Sequence, residues 1–84
     1  FRRKMLIIED DEIFAKVLLD AAHDMKFGAL VATTADEGLR LAKTHLPQAI
    51  VLDVRLPDHS GLVVLDQLKQ YPQTRHIPIH VISS

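Results

Sequence analysis

The sequence contains no cysteine, so neither a disulfide nor a thiolate metal site is available to it. That absence suits a reducing compartment, and a cytoplasmic location is the expectation. Its longest apolar stretch is far short of the ~20 residues needed to cross a bilayer. The basic Arg2-Arg3-Lys4 is followed by a short apolar run and then by acids, which is not the pattern of a secretory signal. Charge of one sign is also missing: the formal net charge is −1, which leaves no electrostatic footprint for nucleic acid. No glycine occurs in the turn after the first apolar run, "EDDEIF", so the glycine-rich cradle of a nucleotide-binding turn is excluded. What remains is a chain of 84 residues, 48% hydrophobic and 25% charged, the composition of one small globular domain. Phe1 is not an initiator residue, and a longer parent protein is expected.

Residues 4–9 read as an apolar strand that ends in the acids Glu9, Asp10, Asp11 and Glu12. Over 11–26 the spacing is helical, with Phe14, Val17, Leu18, Ala21 and Met25 as the inner stripe and Glu12–Lys16 as an i,i+4 pair. Gly28 suits the turn that follows. Residues 29–33 read as a second strand. Thr34 and Glu37 form a capping box for a second helix through His45, with Ala35, Leu39, Ala42 and Leu46 inward and Pro47 as its stop. "AIVLD", 49–53, is a continuous apolar strand of the kind buried on both faces of a parallel sheet. Ser60 can cap a third helix over 61–70, with Leu62, Leu65 and Leu68 inward, and 79–84 reads as a fourth strand.

This β-α-β-α-β-α-β order implies a parallel sheet with helices on both faces. In such sheets ligands bind outside the carboxyl ends of the strands, where the strand order reverses. With strands one and three adjacent, as in the flavodoxin-like order 2-1-3-4, Glu9 and Asp10 meet Asp53. Three carboxylates in one crevice cannot all stay ionised cheaply unless a cation joins them, and an oxygen-loving ion such as Mg²⁺ resolves the conflict. The plainer alternative for the first cluster is helix capping by Asp10 or Asp11. An aspartate-nucleophile phosphatase would place a general acid two positions after the nucleophile, and here that position is Arg55. His76 and His80 are too far apart on an extended segment to chelate one ion.

"LIIEDDE", "IVLDVRLPDHSG" and "IPIHVISS" together resemble the receiver domain of two-component response regulators. The resemblance runs through all 84 residues as a single domain and stops before the family's fifth strand, with its essential lysine and last helices. It implies Asp53 as phospho-acceptor, Asp10 as a direct Mg²⁺ ligand, Glu9 as the acid holding the metal through water, and the backbone carbonyl of Arg55 as a third protein ligand. It further implies Ser83 as a switch hydroxyl followed by Ser84 at the family's small position, and Pro57 and Gly61 as residues shaping the loop. The implied partners are a histidine kinase or a phosphotransfer domain, with no direct contact to nucleic acid or membrane. The segment "YPQTRHIPIHVIS" is more similar to receivers inside hybrid sensor histidine kinases than to separate regulators. A pseudo-receiver, the same fold used for protein interaction without phosphorylation, is the rival reading. The uncovered edge of strand four predicts pairing with another chain, such as a dimer, and Asp58 is expected to point to solvent.

Overall fold

The computed structural model describes residues 3–83. The chain alternates as expected: β1 (Arg3–Ile8), α1 (Glu12–Asp24), β2 (Phe27–Ala32), α2 (Ala35–His45), β3 (Ala49–Asp53), α3 (Gly61–Gln70) and β4 (Ile79–Ile82). The strands form one sheet in the order β2-β1-β3-β4, and every pairing is parallel. This is the doubly wound, flavodoxin-like order that the sequence predicts.

The apolar run of β1 follows from its place in the middle of the sheet. Successive side chains of a strand point to opposite faces. Leu6 and Ile8 join Ile50, Leu52, Val64 and Leu68 in a core beneath α2 and α3. Met5 and Ile7 join Ala22, Leu18 and Leu19 beneath α1. Leu6, Ile7, Ile8, Ile50 and Leu52 are all completely buried. Burial of each such side chain is worth about 1.5–3 kcal/mol.

The helix stripes are where the structure departs from the sequence reading. The inner face of α1 is Ala15, Leu18, Leu19 and Ala22, whereas Val17, Ala21 and Met25 are exposed. In α2 Leu46 is an exposed left-handed cap rather than a core residue, and in α3 Val64 takes the buried place expected of Leu62. These rows are offset because small residues, Ala15 and Ala22, let α1 lie close to the sheet while larger apolar ones remain outside. Gly28 is not a turn residue: it lies within β2 opposite Lys4, and Lys26 takes the positive φ of 67° instead. Lys16 pairs with Asp20 at 2.8 Å rather than with Glu12. Thr34 accepts the Glu37 N–H at 3.1 Å, but the Glu37 carboxylate is engaged with Arg40, so the reciprocal half of the capping box is not made.

Candidate functional site

Strand register brings the acids together. Ile8 is level with Leu52 of the neighbouring β3, so the next residue of each chain segment, Glu9 and Asp53, emerges side by side. By the alternation of β1 and β3, both belong to the face that also carries Ile7 and Val51. The N–H of Glu9 is still bound to the Ala32 carbonyl at 2.9 Å, which holds the residue in line with the sheet. Asp11 then caps α1, accepting the N–H groups of Ile13 and Phe14 at 3.0 and 3.1 Å. The capping role therefore belongs to Asp11, which leaves Asp10 available. Glu9, Asp10 and Asp53 each offer a carboxylate oxygen within 4.8 Å of the others.

The electrostatics of this trio are unfavourable without a cation. Glu9 and Asp53 are fully buried, whereas Asp10 is exposed. Glu9 Oε2 accepts the Asp11 N–H at 3.0 Å, while Oε1 is buried with no donor. Burial pushes the Glu9 carboxyl from 4.5 up to about 7, opposed by the Asp11 N–H and reinforced by a hydrogen bond to Asp53 and by the charges of Asp53 and Asp10. Ionised, Glu9 has an unsatisfied oxygen; protonated, it can donate to Asp53. The all-oxygen donor set, the orphaned oxygen and the charge conflict suit a hard divalent cation such as Mg²⁺.

The loop after β3 is closed at its base. Arg55 and Ser60 form an antiparallel bridge, and the Gly61 N–H donates to the Val54 carbonyl at 2.7 Å. The Arg55 N–H also donates to Asp53 Oδ1 at 3.2 Å, which orients that carboxylate. Gly61 is required for space rather than for its dihedral angles: a Cβ there would lie 2.0 Å from the Asp53 carbonyl oxygen. Ser60 caps α3 through the Leu62 N–H. Pro57 and the Arg55 side chain are exposed in this loop.

At the other side of the crevice, Ile82 is the cross-strand partner of Asp53, and the Val54 N–H donates to the Ile82 carbonyl at 3.1 Å. Ser83 thus leaves the sheet at the edge where the acids gather, and it is exposed. Ser84 lies outside the described residues. Asp58 is exposed, as expected, and its two oxygens also accept the N–H groups of Ala35 and Asp36 at 2.7 and 3.0 Å. No local signal marks that contact, because the partners are more than twenty residues away in sequence. The fully buried Thr74, whose hydroxyl donates to the Leu68 carbonyl at 2.7 Å, is likewise a residue that periodicity does not single out.

The family model described as "Response regulator receiver domain" matches residues 5–84. The chain belongs to the response regulator receiver domain family. Among curated relatives, the polar-differentiation response regulator DivK of Brucella ovis is 32% identical over 82 residues, covering 98% of this chain and 67% of the relative. Among solved structures, the receiver chain resembles a sensor protein from Polaromonas sp. JS666, with a TM-score of 0.93 and 27% identity, over 100% of this chain and 67% of that one. It also resembles the signal receiver domain of a signal transduction histidine kinase from Syntrophus aciditrophicus, with a TM-score of 0.90 and 25% identity, over 95% of this chain and 61% of that one. This receiver sequence thus spans about two thirds of the length of the relatives it matches. Among the described residues, no helix is long and apolar enough to cross a membrane.

Proposed function

We propose that this receiver domain accepts a phosphoryl group onto Asp53 from a histidine kinase or phosphotransfer domain, with Mg²⁺ held by Glu9, Asp10, Asp53 and the backbone carbonyl of Arg55. One observation carries the reading. Glu9 is completely buried, has an oxygen with no donor, and shares its space with two further carboxylates. Such an arrangement is expensive as bare structure and becomes favourable once a cation occupies it. Bound there, the ion would supply positive charge against the non-bridging oxygens of the phosphoryl group.

The chain's own residues do the remaining work. The Arg55 N–H orients the Asp53 carboxylate through Oδ1. An Asp53 oxygen attacks the phosphorus of a phosphohistidine; the new O–P bond forms as the P–N bond breaks, and the imidazole nitrogen leaves with the electron pair. The product is an aspartyl phosphate and a free histidine. Ser83, at the neighbouring strand end, supplies a hydroxyl that can bond a phosphoryl oxygen and so couple the modification to the end of β4. Lys43 lies over the Tyr71 ring and Lys69 donates to the carbonyls of Arg75 and Ile77, so neither serves as a phosphate-binding lysine. In the family that lysine stands at the end of a fifth strand. Likeness to the Syntrophus kinase receiver agrees with a hybrid sensor kinase as the parent.

Thermal melts test the metal assignment. Mg²⁺ at about 100 times its Kd should stabilise the fold by roughly 2.7 kcal/mol. Asp10→Asn should lose most of that gain, because it removes charge from an exposed direct ligand. Equal stabilisation of the variant and the unaltered protein contradicts the assignment.

A further inference from the structure

The N-terminus of α2 is capped by residues from two different parts of the fold. The first N–H groups of any helix lack partners within it. Here the Thr34 hydroxyl satisfies one of them, accepting from Glu37 at 3.1 Å, while its carbonyl takes the first bond within the helix, from Gly38 at 3.0 Å. The two earlier ones, Ala35 and Asp36, donate to Oδ1 and Oδ2 of Asp58 at 2.7 and 3.0 Å. Asp58 belongs to the loop that follows Asp53, and its neighbour His59 adds a second contact, with Nε2 lying 3.3 Å from Asp36 Oδ1. The loop is therefore anchored twice, at its base by the Arg55–Ser60 bridge and at its tip to α2. Desolvation pushes the Asp58 carboxyl up, but the N–H groups of Ala35, Asp36, Asp58 and His59 outweigh it and hold the group below its ordinary value. The clasp is thus a charged carboxylate on backbone donors and at a helix N-terminus, the stronger class of hydrogen bond.

We propose that Asp58 is a positioning residue, which fastens the 54–60 loop to α2 and thereby holds the Arg55 main chain at the edge where the metal and phosphoryl group bind. This rests on the function proposed above. Arg55 lies in the base anchor, in the same loop as Asp58: its N–H orients Asp53, and its carbonyl is the proposed ligand. A loop held only at its base would have to be ordered by each binding event, and that ordering would subtract from metal affinity. Residues that orient ligands without touching the ion commonly change metal affinity about tenfold or more.

The test compares two ways of uncapping the same helix in the full-length protein. Asp58→Ala removes the cap and the clasp, whereas Thr34→Ala removes a cap and leaves the clasp. Mg²⁺ affinity is measured by calorimetric titration, and loop order by amide exchange at Arg55 and Gly61. Asp58→Ala should weaken Mg²⁺ binding about tenfold and speed exchange at both amides, while Thr34→Ala leaves both within about twofold of the unaltered protein. Should Asp58→Ala fail to fold, Asp58→Asn, which keeps one acceptor oxygen, should show the same two changes at smaller size. Unchanged affinity and exchange in the Asp58 variant, or equal losses in both variants, would overturn the positioning role and leave Asp58 as a helix cap. No Mg²⁺ binding by the unaltered protein would instead overturn the proposed function, and this inference with it.

Discussion

Replacing Glu9 with Gln should make the metal-free protein more stable at pH 8 and change it by no more than about 1 kcal/mol at pH 5. The Glu9 carboxyl is held at about 7 in the fold against 4.5 for the free group. Between these values the folded state binds a proton that the unfolded state has released. Stability therefore falls as the pH rises through that window, and the whole penalty is present above it. At ~1.36 kcal/mol per pH unit, the interval corresponds to about 3 kcal/mol. Glutamine has the same shape as the protonated acid and can still accept the Asp11 N–H that Glu9 receives at 3.0 Å. It also relieves repulsion on Asp10 and Asp53. The gain at pH 8 should be about 1–3 kcal/mol, the lower end allowing for an imperfectly paired amide. In a domain of this size 1 kcal/mol moves Tm by roughly 4–8 °C. Melts in a chelator at pH 5 and pH 8 measure this. Saturating Mg²⁺ at pH 8 should then reverse the order, because the unaltered protein gains more from the ion. A variant that is less stable than the unaltered protein by the same amount at both pH values would refute the reasoning, since it would make Glu9 an ordinary structural hydrogen-bonding residue.

Two further substitutions probe the frame around the acids. Gly61→Ala places a Cβ 2.0 Å from the Asp53 carbonyl oxygen, and the loop must shift; a loss of about 1–3 kcal/mol in urea unfolding is expected, together with slower modification of Asp53. Thr74→Val keeps the volume of a fully buried side chain but removes the 2.7 Å bond to the Leu68 carbonyl; the unfolding midpoint should fall by the equivalent of about 1–3 kcal/mol, with the denaturant slope unchanged.

The strands and their order are readable from the sequence because each apolar run is bounded by charge, glycine or proline, and because burial on both faces demands an uninterrupted run. β3 and α3 match their expected bounds, and β1 differs by a single residue at each end. The convergence of Glu9 and Asp53 is legible for the same reason: parallel register and strand alternation are enough to set two strand-terminal side chains next to each other. The inner faces of the helices are less legible. Periodicity supplies a stripe but not its exact angle, and in α1 small residues, Ala15 and Ala22, occupy the contact instead of Val17 and Met25. Gly28 misleads because a left-handed turn is available to Lys26, which frees the glycine to enter β2. The Asp58 clasp and the Thr74 bond depend on the path of the chain in three dimensions, for which no short spacing in the sequence is a signal.

Mass measurement of the intact full-length protein after exposure to a small phosphodonor, such as acetyl phosphate, tests the assignment of Asp53 most directly. The account predicts the addition of one phosphoryl group, dependent on Mg²⁺, labile in base and more stable in acid than a phosphohistidine. Asp53→Asn should abolish it, because an amide is a poor nucleophile, while Asp58→Asn should still be modified. Phosphate uptake at the unaltered level by Asp53→Asn, with none by Asp58→Asn, would contradict the account.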